Sequence, residues 1–310
     1  MKTIFFPGQT PHDGRFAATI GFFDGVHKGH RYLVEHLRKE ACRRGLKSMV
    51  ITFERHPRQV VQPQWVPELL TTLDEKIRLL SNLDIDVLTV LRFDEQMAAL
   101  SAREFMEVVL KRQLNTDLLL TGYDNRFGHD RMDGFDAYQR YGHELGMEVI
   151  CGEALSVGDD SVSSSRIRQL LRDGEVDEAH RCLGRPYVLG GQVVHGEQIG
   201  RKIGFPTANL QPDDYKLIPK DGVYAVLTDV EGYSGQKRGI TNIGSRPTFN
   251  GTVRTLETNL LDEVGQIYDK RLNISFFQRL RDEQFFPSGS ALAEQIRRDK
   301  EEAEYIFERL

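Results

Sequence analysis

The sequence predicts two domains of different class: an α/β half built on a parallel sheet, then an antiparallel β-barrel half closed by a C-terminal helix. Three observations predict it. The chain has 310 residues, about two domains' worth at ~150 residues each. From Phe16 to about Cys151, short apolar runs alternate with amphipathic stretches, as βα units do. After about Gly184 the helical stretches cease and glycine-punctuated β-type segments follow one another.

In the first half the candidate strands are FAATIGFF (16–23), LKSMVITF (46–53), DVLTVLRF (86–93), DLLLTGY (117–123) and MEVIC (147–151). Several are almost continuously apolar, as strands covered on both faces are. The stretch after Gly29 puts Leu33, Val34, Leu37 and Ala41 on one helical face and meets Gly45, a suitable C-terminal cap. Ser101 and Glu104 form a capping box before Phe105, Val108 and Val109, which signals another helix start. In the second half YVLGGQVVH, GVYAVLTDV, RGITNIG, RTLETNLL and RLNISFF read as barrel strands. Residues 288–310 are highly charged, but Leu292, Ile296, Ala303, Ile306 and Phe307 form an apolar stripe, so a closing helix is expected there. The last helical pattern of the first half, Glu175 to Leu183, meets Gly184 and Pro186, which divides the chain into 1–184 and 185–310.

Composition narrows the function. Lys and Arg total 41 against 46 Asp and Glu, and a net charge of −5 supplies no basic field for nucleic acid. Cys42, Cys151 and Cys182 are widely spaced, without disulfide-framework or zinc spacing, which suits a reducing cytoplasm. The N-terminal apolar run ends at Pro7, too short for an export signal, and with a mean hydropathy of −0.43 no segment is apolar enough to span a bilayer. A cytoplasmic enzyme or binding protein for small molecules is expected, with no membrane and no nucleic-acid partner.

GFFDGVHKGH (21–30) leaves the first strand through glycines and enters a helix with His27 and His30 on the same side of its first turn. Its place at the carboxyl end of a parallel strand is where ligands bind in open α/β sheets. Outward N–H groups, the positive dipole end and two imidazoles suit a polyphosphate. The same residues also admit a capped turn with solvated histidines, or a zinc site lacking its third ligand. In the second half, GRKIGFPTANL (200–210) lacks the G-K-[ST] of a P-loop. Its glycines and Pro206 could still wrap phosphates, and Thr207 and Asn209 would present oxygens on one side of an extended segment, as Mg²⁺ shared with ATP requires. A local turn is the alternative.

The first motif resembles the nucleotidylyltransferase motif of the prokaryotic bifunctional riboflavin kinase/FAD synthetases. FERHPR (53–58) resembles that family's F-E-P-H-P, TGYDNRFG (121–128) its G-x-D-F-x-F-G, and VSSSRIR (162–168) its I-S-S-T-x-I-R. GFPTAN (204–209), GVY (222–224), NIGSRPT (242–248) and ETNLLD (257–262) resemble its riboflavin kinase motifs, in order. Arg55 stands where the family usually has proline, Asn125 where an aromatic is usual, and Asp269 where a glycine is usual.

The resemblance implies a Rossmann-like nucleotidylyltransferase domain and a riboflavin kinase barrel. It implies ATP-dependent phosphorylation of riboflavin to FMN and adenylylation of FMN to FAD, with Mg²⁺. On matching positions, His27 and His30 are catalytic and contact the ATP phosphates, joined by Phe23, Asp24, Ser164, Ser165 and Arg168. Asp124 and Asn125 lie at the flavin-facing stretch. In the kinase, Lys202, Gly204, Thr207 and Asn209 serve ATP, Thr207 and Asn209 hold the metal, and Glu257 accepts the ribityl hydroxyl proton. DEQFF (282–286) resembles the family's flavin-side region. A different nucleotidylyltransferase is disfavoured by the GFPTAN domain, a catalytically dead flavin-binding regulator by the retained site residues, and an aminoacyl-tRNA synthetase by the acidic charge.

Overall fold

The computed structural model describes the chain apart from residues 12, 123–125, 130–132, 153–155, 158–159, 197–203, 249–250 and 310. Two compact units emerge, Met1–Ser164 and Ser165–Leu310.

The first unit holds a parallel sheet of β1 (Lys2–Phe6), β2 (Phe16–Ile20), β3 (Lys47–Phe53), β4 (Val87–Leu91), β5 (Thr116–Thr121) and β6 (Glu148–Cys151), in the order β1-β4-β3-β2-β5-β6. The apolar runs thus form strands as expected, each slightly shorter than its run. Strand β1 pairs in parallel with β4. It is not legible as a strand, because KTIFF offers little alternation and Pro7 ends it at once. The chain leaves β2 toward β3 and β4 on one side and resumes at β5 and β6 on the other. The strand order therefore reverses at β2, and the crevice at its carboxyl end is the ligand position of such a sheet.

Helix α1 (Lys28–Arg44) packs Val34, Leu37 and Ala41 on the face of the sheet carrying Ala17, Val50, Leu88 and Leu118. Gly45 ends it in the left-handed region at φ 66°, where glycine escapes the Cβ penalty. Short α2 (Pro57–Val61) and α3 (Leu73–Ser81) follow β3, and α4 (Glu95–Ala98) follows β4. The Ser101–Glu104 capping box starts α5 (Ala102–Glu104), which continues as a π-helical stretch, Phe105–Gln113. That stretch and α6 (Phe135–Leu145) cover the opposite face, with Phe105, Met106, Val109 and Tyr138 packed on Ile4, Phe16, Met49 and Ile51.

After a small antiparallel pair, β7 (Ser156–Val157) and β8 (Asp160–Ser161), come α7 (Ser164–Asp173) and α8 (Val176–Leu183). Both fall mainly in the second compact unit, upstream of the division expected at 184. Packing explains this: the Lys220 N–H donates to Leu171 O at 2.9 Å, and His180 meets Phe277 edge-on at 6.2 Å.

The second unit is a closed antiparallel barrel of β9 (Tyr187–Val194), β10 (Thr207–Pro212), β11 (Gly222–Val230), β12 (Lys237–Thr248), β13 (Gly251–Leu260) and β14 (Arg271–Arg281), ordered β10-β13-β12-β11-β14-β9. Tyr187, Tyr224 and Phe276 are fully buried, with each phenol satisfied: Tyr187 donates to Leu217 O at 2.6 Å and Tyr224 to Lys220 O at 2.5 Å. Helix α9 (Gly289–Phe307) starts at the Ser288 cap and lays Ala303, Ile306 and Phe307 on Val223, Ala225 and Ile240. The apolar stripe of this charged helix is its docking seam.

Gly191 marks a close backbone crossing of β9 and β10. A Cβ there would sit 2.1 Å from Gln211 O and 2.8 Å from Gln211 C, backbone atoms that no rotamer change can move. Gly191→Ala is expected to destabilise the barrel by about 1–3 kcal/mol, read as a lower thermal midpoint for barrel unfolding. An unchanged midpoint would show that β9 and β10 can separate freely.

Candidate active sites

The first site grows from a strained turn. Phe23 and Val26 adopt φ 53° and 40°, and Gly25 φ 80°, so two side-chain-bearing residues occupy the left-handed region around a glycine. Strain of this kind is kept only where the surroundings hold it. Here Asp24 does so. Its buried carboxylate accepts from the Leu70 and Thr71 N–H groups at 3.0 Å and from Thr71 Oγ1 at 3.1 Å, and Thr71 Oγ1 accepts from the Gly25 N–H at 3.0 Å. Asp24 is therefore a brace directed inward, and Phe23 is buried beneath the turn.

The turn delivers His27 to the N-cap of α1, where its Nδ1 accepts from the His30 N–H at 3.3 Å. The two rings stack with centroids 3.6 Å apart and planes 20° from parallel. His30 Nδ1 is buried without a hydrogen-bond partner. Burial first, then the charges of His27 and Lys76, hold its pKa well below the usual 6.5. Gly29 lets the backbone approach, since a Cβ there would lie 3.2 Å from Val162 O. Ser164 Oγ donates to Asp24 O at 3.0 Å. The first and last motifs of this unit therefore meet. Ser165 and Arg168 open the second unit on α7. Asp124 and Asn125 lie outside the described residues.

Two neighbours complete the surroundings of the turn, Lys76 outside every motif and His56 within FERHPR (53–58). Lys76 of α3 is buried and donates to Phe22 O at 3.1 Å and Phe53 O at 3.0 Å. His56 caps α2, accepting from the Arg58 N–H at 3.1 Å, and meets Phe22 edge-on at 4.6 Å. Arg55, in place of the expected proline, is exposed just before this cap, and Pro57 still opens the helix.

The second site is on the barrel wall facing α9. Antiparallel register sets Asn209 opposite Glu257 and Glu257 opposite Asn242, so three polar side chains form one row across β10, β13 and β12. Thr207 opposes Asn259, whose Nδ2 donates to Pro206 O at 2.7 Å. Thr207, Asn242, Glu257 and Asn259 line a cavity of about 290 Å³, closed by Glu283, Phe286 and, from α9, Leu292 and Ile296. Arg281 pins that helix through a two-pronged pair with buried Asp299, at 2.8 and 2.7 Å. Asn209 is held against Gly196, where a Cβ would fall 2.2 Å from its Nδ2. Gly204 takes φ 88°. Lys202 lies outside the described residues.

A larger opening of about 460 Å³ is lined by Asp213, Asp214, Glu231, Asp269 and Arg271. Its four carboxylates oppose a polyphosphate, so the smaller cavity is the better kinase candidate. Asp269 adopts φ 63°, a left-handed position that explains the usual glycine and that aspartate tolerates better than most residues.

A family model for FAD synthetase matches residues 9–166, and one for riboflavin kinase matches residues 183–307. The chain is 39% identical over 309 residues to the bifunctional riboflavin kinase/FMN adenylyltransferase of Escherichia coli strain K12, covering 99% of this chain and 97% of that one. The chain belongs to this family. A Bacillus subtilis member is 35% identical over 332 residues, with 100% and 99% covered. A crystal structure described as a macrolide-efflux protein from Streptococcus pneumoniae superposes with a TM-score of 0.87 at 32% identity, covering 96% and 97%. As a family member the chain is both a riboflavin kinase and an FMN adenylyltransferase, acting on riboflavin, FMN and ATP to give FAD. No described helix is long and apolar enough to cross a membrane.

Proposed function

We propose that FMN is adenylylated by residues 1–184, at the His27–His30 turn, and riboflavin phosphorylated by residues 185–310, at Glu257. The observation that carries the kinase assignment is the registered row Asn209–Glu257–Asn242 beside Thr207 on a cavity wall. Glu257 accepts the proton of the ribityl 5′-hydroxyl as that oxygen bonds to the γ-phosphorus of ATP and the bond to the departing ADP oxygen breaks. Thr207 and Asn209 offer two neutral oxygens. Among the described residues no group of three His, Cys, Asp or Glu side chains could hold a metal. Such a donor set suits Mg²⁺ held largely by ATP phosphates, where the cation would neutralise charge on the transferring group. Lys202 and Gly204 would complete the ATP contacts, and residues 282–286 would border the flavin.

In the adenylyl transfer, an FMN phosphate oxygen bonds to the α-phosphorus of ATP and pyrophosphate leaves. The site positions two polyanions and neutralises the leaving oxygens. The imidazoles of His27 and His30, the N-terminus of α1, and Ser164, Ser165 and Arg168 supply donors and positive charge. Asp24 and Phe23 shape the turn for ATP, and Asp124 and Asn125 serve flavin binding. The net charge of −5 favours small-molecule substrates over nucleic acid, and Cys42, Cys151 and Cys182, none of them in a disulfide, favour the cytoplasm.

With riboflavin, ATP and Mg²⁺, separated products are expected to show FMN and then FAD. Chelation by EDTA is expected to stop both steps and added Mg²⁺ to restore them. FMN formation that persists under EDTA would refute the metal assignment to Thr207 and Asn209.

A further inference from the structure

We propose that Lys76 is a positioning residue for adenylyl transfer, its ammonium tying the ends of β2 and β3 together beside the His27–His30 pair and offsetting the buried carboxylate of Asp24. The proposal rests on the His27–His30 reading above and extends it to a residue outside every motif.

Lys76 is 2% exposed on α3. A side chain so fully enclosed is rarely a lysine unless its charge has partners. Its Nζ donates to Phe22 O at 3.1 Å and Phe53 O at 3.0 Å and sits 4.0 Å from the Phe22 ring centre. Those carbonyls belong to the residues where the chain leaves β2 and ends β3. Thr52 Oγ1 supplies a second donor to Phe22 O at 3.1 Å, whereas an apolar residue at 76 would leave both carbonyls without the ammonium. Phe22 directly precedes the strained turn, so a loosened Phe22 carbonyl displaces Phe23, Asp24 and the helix start carrying both histidines.

The charged and titratable neighbours are few. Asp24 faces Lys76 from the turn and favours its charged form. His30 of α1 feels the ammonium, with His27 stacked on it. Glu75, on the same helix, directs its carboxylate to the Thr72 N–H at 2.9 Å. His56 of the α2 cap meets the shared Phe22 ring. Burial lowers the Lys76 pKa to about 8 against the pull of Asp24. Its charge is therefore present at neutral pH and lost just above it, when the His30 imidazole gains proton affinity.

The test uses the full chain. Lys76→Met is expected to slow FMN adenylylation by roughly tenfold or more, to leave riboflavin phosphorylation unchanged, and to raise the His30 pKa in an NMR titration of labelled imidazoles. Lys76→Arg is expected to restore the low His30 pKa and part of the rate. Native adenylylation by Lys76→Met, or an unchanged His30 titration, overturns the proposal. If Lys76→Met does not fold, the native protein decides: the His30 resonance is expected to show a second inflection near pH 8, and a curve without one overturns the coupling. That readout requires no catalysis. FAD formation at native rate by His30→Ala would sink the site reading while leaving the Lys76–His30 coupling measurable.

Discussion

Glu257→Gln is expected to lower riboflavin phosphorylation by on the order of 10²–10⁴-fold while FMN offered directly is adenylylated at its native rate. The substitution keeps the side chain's size and its place between Asn209 and Asn242 on the barrel wall. It removes the capacity to take a proton. The closure of the cavity is held elsewhere as well: Arg281 holds Asp299 on α9, and Asn259 holds Pro206. Separated products from parallel incubations with riboflavin and with FMN decide the matter. Loss of both reactions would argue for one shared site. Normal FMN formation would transfer the proton-accepting role to Glu283, another carboxylate on the cavity.

Much of the fold was legible because its signals are local. Five parallel strands were visible as apolar runs, and Gly45, the Ser101–Glu104 box and the α9 stripe all perform the roles their chemistry suggests. Strand β10 could be read as an extended segment, but its pairing with β13 could not. Placing Asn209 opposite Glu257 depends on long-range register, which spacing along the chain does not encode. Asn242 lies in a recognised motif, yet its membership of the same row emerges only from the β12–β13 pairing. Asp24 resembled a phosphate contact by position in its motif. The structure turns it inward because loop residues Leu70 and Thr71, far along the chain, bring their N–H groups to it. Lys76 was invisible for a simpler reason: a lone lysine on an amphipathic helix ordinarily faces solvent. Helices α7 and α8 likewise read as the end of the first half, whereas α8 lies against the barrel through His180 and Phe277.

His30→Ala is expected to let FMN accumulate from riboflavin while FAD formation falls by on the order of 10²–10³-fold, the usual loss when one donor to developing charge is removed. His30 isolates this effect better than His27 does. His27→Ala also deletes the N-cap acceptor for the His30 N–H, adding about 1 kcal/mol of helix destabilisation. The His30 imidazole has a buried Nδ1 without a partner and a pKa depressed by burial, His27 and Lys76. An arriving triphosphate reverses the sign of that local field, so the imidazole regains proton affinity when the polyanion is in place. Saturation with ATP is therefore expected to raise the His30 pKa in the native protein, a shift that NMR titration reads without turnover. A pKa that stays low in the presence of ATP, together with normal FAD synthesis by His30→Ala, would place the phosphates elsewhere and leave the stacked pair a purely structural start to α1.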